Sequence, residues 1–349
     1  WSFQFITKNL FNVSVKGEAN DARLLQLQRW LSTKTDFSGM DVVPASEDAS
    51  FRRYFRILDG MGKSWIAMDA PPEKENSQPF VEISRMLRDG GVRVPEIFEV
   101  DLEQGFLVLE DFGAVHFEDI LHGKRRDAFY NIALSEMVRV TSMPDTDAAK
   151  LPHLGSEWLQ MELDIFHEWF LNLGGGPAST SNLDDFHKAC QPLVNGILEQ
   201  PNVFVHRDFH CRNLLLLDGG RAGVIDFQGA MSGPLTYDLA SLLRDCYQDN
   251  PRDWVEWKAI QYKKRIEEAL SLDLDDDQFL RWLDWTGLQR HLKVLGLFNR
   301  LNLRDGKSGY QKDIPRVWEY AKDVLGRYAE LSSLREFVEG FNTWSEAAA

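Results

Sequence analysis

Cysteine is scarce in this chain: three in 349 residues, at positions 190, 211 and 246. An odd, widely spaced set forms neither a disulfide framework nor a zinc pattern, so a reducing cytoplasm is the expected compartment. Positive charge is also short. Lys and Arg number 39 against 54 Asp and Glu, a net charge of −15, and a nucleic-acid or anionic-membrane partner needs the opposite balance. No apolar run reaches the length of a membrane span. Internal repeats and low-complexity segments are absent too, and "DLDDD" at 273–277 lacks the frame and central Gly of a calcium loop. Residues 1–20 show no initiator Met and no signal-peptide layout, and are set apart as an N-terminal extension that cloning could have added.

What is present divides into two parts, and the length suffices for two cores. From Asp21 a helical face of Leu24, Leu27, Trp30 and Leu31 leads into strand-like "MDVVPA", "SFRRYFRILDG" and "SWIAMDA", with "DGMGK" as the turn between the last two. A helix around 80–88 and the strands "VRVPEIFEVD" and "FLVLEDF" complete a small antiparallel sheet with one inserted helix. After Gly113 helical periodicity dominates, over 126–142, 156–172, 182–199, 235–248, 252–271, 277–300 and 315–340.

One β-like interruption among those helices carries the chemistry: "VFVHRDFHCRNLLLLDGGRAGVIDFQGA", residues 203–230. Transfer of a phosphoryl group needs a carboxylate to orient and deprotonate the attacking hydroxyl, and oxygen ligands for the magnesium that bridges the phosphates. Asp208 supplies the first, and Asn213 and Asp226 the others. The aliphatic runs between them form a hairpin whose ends fix the three side chains, as chemistry that depends on positioning demands. Either Asp alone reads better as an ordinary turn carboxylate. The full H-R-D-x-x-x-x-N string, followed by a hairpin and I-D-F, favours the catalytic reading. His206 is expected to brace the loop.

These strings resemble the catalytic core of the protein-kinase-like superfamily, and within it the aminoglycoside phosphotransferase and choline kinase branch. The resemblance implies a two-lobed α+β fold, with a small antiparallel-sheet N-lobe over 21–109, a hinge at 110–113 and a large, mainly helical C-lobe over 114–349. Departures from protein kinases favour a small-molecule acceptor. His210 replaces their Lys, Gln228 fills the Gly slot of D-F-G, and neither a Gly-rich loop nor A-P-E is present. "GPLTYDLASLL" resembles the same branch and implies that Asp238 braces the loop, although a carboxylate at a helix terminus predicts nearly the same. ATP and Mg2+ follow as cofactors. Adenine is expected at backbone groups of Glu110 and Phe112. The third-strand Lys that pairs phosphates in kinases is missing, its place falling near Met68, and Glu82 is either its leftover partner or solvated surface. "SEDASFRRYFR" takes the place of the phosphate-covering loop, so Ser50, Arg52 and Arg53 are assigned to the nucleotide, with Ser46, Ala49, Arg56 and Lys74 as further candidates.

Across residues 21–340 the layout is similar to the bacterial anomeric kinases of N-acetylmuramate and N-acetylglucosamine, on "ASFRRYFRI", "AMDAPPEKE", "HRDFHCRNLL", "LGLFNRLNLRDGKSGY" and "DIPRVW". That likeness implies an ATP-dependent sugar 1-phosphate synthesis in peptidoglycan recycling, with an amino sugar as the small-molecule partner. No nucleic acid, membrane or obligate protein partner is expected. For the sugar, "SEWLQMELDIFHEWF" offers Glu157, Glu162, Asp164, His167 and Glu168, of which Glu157, Asp164 and Glu168 at i, i+7 and i+11 can line one face, although a solvated acidic face is an equal reading. His210 and Arg212 beside the catalytic Asp, and Arg300, complete the proposed sugar contacts, and a lactyl carboxylate calls for a cation among Arg212, Arg300 and Arg304. An aminoglycoside or amino-alcohol kinase of the same fold, and a non-catalytic pseudokinase, are the competing readings.

Overall fold

The computed structural model describes residues 21–47, 51–172 and 182–340; Ser50 and Ala49 lie outside them, as do residues 1–20. Leu27, Trp30 and Leu31 recur at helical spacing and are buried on one face of α1 (Ala22–Lys34), whose first turn is capped by the Asp21 carboxylate accepting from the Leu24 amide at 3.0 Å. Alternation does the same for β2 (Arg53–Leu58), which buries Phe55 and Ile57 and leaves the alternate residues Tyr54, Arg56 and Leu58 half-buried. With β1 (Asp41–Glu47), β3 (Ser64–Asp69), β4 (Ile97–Asp101) and β5 (Phe106–Glu110) it forms an antiparallel sheet in the order β1-β2-β3-β5-β4. The register aligns Phe55 with Ala67 and Ala67 with Val108. That row joins Trp65 and Phe106 beneath the apolar face of α1 as one core. Each large side chain buried there contributes about 1.5–3 kcal/mol.

The chain divides into two compact units, the residues up to Gln78 with Glu96–Asp111, and Pro79–Pro95 with Phe112 onward. Most of the second unit is helical. Its helices are α2 (Gln78–Asp89), which begins at the boundary, the short α3 (Phe117–Ile120), α4 (Arg126–Thr141), α5 (Asp145–Ala148), α6 (Ser156–Phe166), α7 (Leu183–Leu198), α8 (Tyr237–Leu243), α9 (Arg252–Leu270), α10 (Asp276–Leu303), α11 (Ile314–Arg327) and α12 (Ser332–Gly340). Two small antiparallel ladders interrupt them: β6 (Asn202–Val205) with β9 (Met231–Pro234), and β7 (Leu214–Leu216) with β8 (Ala222–Val224). Among the described residues no helix is long and apolar enough to cross a membrane.

The axis of this unit is α10, 28 residues long and packed by α6, α8 and α11. At Gly296 it comes so close to α6 that an added Cβ would lie 2.4 Å from the Ile165 carbonyl oxygen. Three helices differ from their sequence patterns. The stretch 156–172 is α-helical only to Phe166 and continues as a π-helical turn, His167–Asn172. The segment 315–340 breaks at Tyr328, whose hydroxyl donates to Asp284 at 2.8 Å and whose ring meets Trp285 edge-on, turning the chain before α12. The helix expected over 235–248 stops at Leu243.

Candidate active site

The strand β6 delivers the chain into a loop, His206–His210, that the side chain of Asp238 holds from behind. Its two carboxylate oxygens accept from the amides of His206 (2.7 Å) and Arg207 (2.9 Å). The second amide is presented because Arg207 sits in the left-handed region, φ 77°. Burial pushes the Asp238 carboxyl up to about 7, against the pull of those amides. His206 is fully buried, its Nε2–H donates to the Ile225 carbonyl at 3.0 Å, and burial pushes it down to about 4. The imidazole is therefore neutral at physiological pH. Downstream, Asp245 accepts from the Cys211 amide at 2.9 Å and fixes the 3-10 turn that ends at Asn213.

Three side chains converge from this loop and the β7–β8 ladder. Asn213 Nδ2 donates to the Asp208 carbonyl at 2.9 Å and to Asp226 Oδ2 at 3.3 Å. That orientation commits the amide nitrogen and leaves Oδ1 as an acceptor beside a carboxylate. Asp226 is itself left-handed, φ 62°, and Gln228 Nε2 donates to its Oδ1 at 2.7 Å. Two hard oxygen donors completed by phosphate and water oxygens are what magnesium accepts, so the residues present fit that ion. The third group, Asp208, differs from its neighbours: its carboxylate takes no hydrogen bond from any described residue.

The electrostatics around Asp208 come from residues distant in sequence. Burial raises its pKa, but Lys293, Arg290, His210 and Arg207 outweigh that and hold it at about 2. Lys293 and Arg207 are kept in place by Glu162 on α6, whose Oε1 accepts from them at 2.7 and 2.8 Å. Its Oε2 accepts from Gln289 at 3.1 Å and Tyr237 at 3.3 Å. Glu162 is only 3% exposed, and its pKa falls to about 2 as Lys293 and Arg207 overcome desolvation. Arg290 donates to the Arg207 carbonyl at 2.8 Å. Sequence reading did not select these basic residues. The available signal was a cationic pair one turn apart, Arg290 and Lys293, in the middle of the long helical pattern.

The other expected site residues are placed as follows. His210 packs edge-on against Tyr247 at 5.5 Å, and Arg212 lies over the same Tyr247 ring, 3.4 Å from its centroid, while its guanidinium pairs bidentately with Glu118 at 2.8 and 2.9 Å. On α6, Glu162 and Trp158 face Arg207, whereas Glu157 and Asp164 line a groove of about 400 Å³ with His187 of α7, to which Asp164 bonds at 2.7 Å. Glu168 is exposed on the π-helical turn. The structure thus brings Glu162, not Glu157 or Asp164, to the His206–His210 loop. In the sheet unit, Arg53 is shared between Asp69 (2.6 Å) and Asp21. Arg52 is 7% exposed and 3.4 Å from Glu75, and Arg56 pairs with Asp111 at 2.6 Å. Lys74 lies over the Phe51 ring at 4.8 Å, Met68 is fully buried, and Glu82 is exposed on α2. The Glu110 amide bonds to the Glu96 carbonyl at 2.8 Å, and the Phe112 ring packs beneath the guanidinium of Arg93.

The model of the phosphotransferase enzyme family matches residues 41–283. The chain belongs to that family. It is similar to the N-acetylmuramate/N-acetylglucosamine kinase of Pseudomonas aeruginosa, 38% identical over 341 residues that cover 94% of this chain and 100% of that protein. The protein of the same name from Neisseria meningitidis is 37% identical over 316 residues, covering 89% and 94%. Among solved structures, the ethanolamine kinase of Plasmodium vivax superposes with a TM-score of 0.61 at 13% identity, covering 89% of this chain and 92% of that one. The aminoglycoside phosphotransferase APH(4)-Ia, in complex with AMP-PNP and hygromycin B, gives 0.57 at 16% identity, covering 88% and 98%. The fold of this phosphotransferase is accordingly the α+β, protein-kinase-like one, in two lobes.

Proposed function

We propose that this phosphotransferase moves the γ-phosphoryl group of ATP onto the anomeric C1 hydroxyl of N-acetylmuramate or N-acetylglucosamine, giving a sugar 1-phosphate for peptidoglycan recycling. The observation that carries the reading is the set of relatives named for those two sugars, aligned over almost the whole chain at 37–38% identity. The bare carboxylate of Asp208 supports it. Held anionic by three cations and accepting from no described residue, it has its lone pairs free for a substrate hydroxyl, which it orients and whose proton it takes. Asn213 Oδ1 and the Asp226 carboxylate would hold Mg2+, which when bound neutralises charge on the phosphates. ATP is favoured as donor by a fold neighbour captured with AMP-PNP and another with ADP. Its contacts are proposed at Arg52, Arg53 and the backbone of Glu110 and Phe112.

The reaction itself is tested by phosphorus NMR on enzyme, Mg·ATP and each sugar. The expected product signal is split by the anomeric proton and absent with Asp208→Asn. ATP hydrolysis without any sugar phosphate, or product from an amino alcohol or aminoglycoside instead, would overturn the assignment.

A further inference from the structure

Three arginines were open to the carboxylate that distinguishes N-acetylmuramate from N-acetylglucosamine, and their surroundings separate them. Arg212 is spent on the bidentate pair with Glu118 and on the face of Tyr247. Arg304 is exposed and closed on Asp305, with two bonds of 2.7 and 3.0 Å. Arg300 is half-buried, and its guanidinium has no hydrogen bond, ion pair or ring contact with any described residue. Its Nε is buried and unsatisfied. Asp305, bonded to Arg304, attracts Arg300 through space without a hydrogen bond, and a buried Nε without an acceptor costs free energy until one arrives.

Its position fits the same conclusion. Arg290, Lys293, Leu297 and Arg300 recur at i, i+3, i+7 and i+10 of α10, one side of the helix. The first two act on Asp208. Arg300 follows Lys293 by seven residues, about 10 Å along the axis. An acceptor with its C1 hydroxyl at Asp208 would extend its C3 substituent along this face, and a long Arg side chain spans the remainder. The planar guanidinium matches a carboxylate in two parallel bonds.

We infer that Arg300 is the specificity residue for an acidic amino sugar, receiving the lactyl carboxylate of N-acetylmuramate. This inference rests on the reading under Proposed function. Its test compares kcat/KM for N-acetylmuramate, the uncharged carboxamide of N-acetylmuramate and N-acetylglucosamine. The enzymes are the unmodified protein, Arg300→Gln, Arg300→Lys and Arg304→Gln. The unmodified enzyme should prefer the acid over its carboxamide by about 10- to 100-fold, carried by KM, the range set by one charge-assisted hydrogen-bonded pair. Arg300→Gln should abolish that preference and Arg304→Gln should keep it. Should Arg300→Gln not fold, Arg300→Lys decides, with a reduced preference expected because the charge stays and the fork is lost. An unmodified enzyme that treats acid and carboxamide alike overturns the inference while the function stands. So does a preference that survives Arg300→Gln, or is unchanged in Arg300→Lys, or an equal loss on all three acceptors. An enzyme that phosphorylates none of the three overturns the proposed function and this inference together.

Discussion

Two carboxylates of this protein sit among cations under opposite terms. In the sheet unit, Asp69 is fully buried, and its oxygens are saturated by Arg23 and by Arg53, which also reaches Asp21. On the His206–His210 loop Asp208 is half-buried within the field of Lys293, Arg290 and Arg207, yet receives none of their hydrogen bonds, because Glu162 and a backbone carbonyl hold those donors elsewhere. The first arrangement closes a charge set and stabilises a fold. The second keeps a carboxylate ionised while leaving its lone pairs open, which is what orienting a hydroxyl requires. Asp69 takes part in two ion pairs and Asp208 in none among the described residues, while Lys293 and Arg207 pair with Glu162 instead.

The comparison can be broken by exchanging the expected losses. Asp208→Asn should lower turnover about a hundred- to ten-thousand-fold while nucleotide affinity, read by calorimetry, changes little. Its stability should fall by only about 1–2 kcal/mol, since through-space attraction and no directed bond is lost. Asp69→Asn should do the reverse, costing about 2–4 kcal/mol in urea denaturation because two guanidiniums lose their anion, with kcat per folded molecule near that of the unmodified enzyme. If both variants lost activity and stability alike, the distinction would fall.

A pH titration sharpens it at the next level. The folded pKa of His206, about 4, lies below its usual value of 6.5, so the unfolded chain takes up the proton first. Its contribution is complete above pH 6.5 and is lost as pH falls from 6.5 through 4. His206→Gln should therefore remove a limb of on the order of 2–3 kcal/mol from the stability–pH curve over that interval, seen in the difference between the two proteins. Glu162 and Asp208, both held near 2, act at lower pH: their contribution is present above about 4.5 and is lost as pH drops toward 2. The smallest effect is expected at Arg23→Gln, about 1 kcal/mol by denaturation, since Arg53 still answers Asp69 and Arg23 is partly solvated.

How much of this was written in the sequence depends on contiguity. Asp208, Asn213 and Asp226 fall within nineteen positions and are joined by a ladder whose pattern is itself readable, so their convergence and the fold class could be read from the string alone. The supporting charges could not, because Glu162 and Lys293 are 131 positions apart and meet only when α6 lies on α10. On α6 acidic residues occupy both faces. Periodicity selected Glu157, Asp164 and Glu168, while packing turned Trp158 and Glu162 toward the loop. A buried Glu and a solvated one look the same in a sequence, and only the partner helix tells them apart. The break at Tyr328 was hidden for a similar reason, since its cause is the contact of that side chain with Asp284 and Trp285, not a helix-breaking residue.

Arg207 and Asp226 both occupy backbone conformations that favour glycine. A non-glycine residue held there costs roughly 1–3 kcal/mol. A laboratory evolution that rewarded heat resistance alone would therefore favour glycine at position 226, and would lose with Asp226 the metal ligand proposed above. The two selections pull one codon in opposite directions, so thermostable libraries of this protein need a turnover screen at every round.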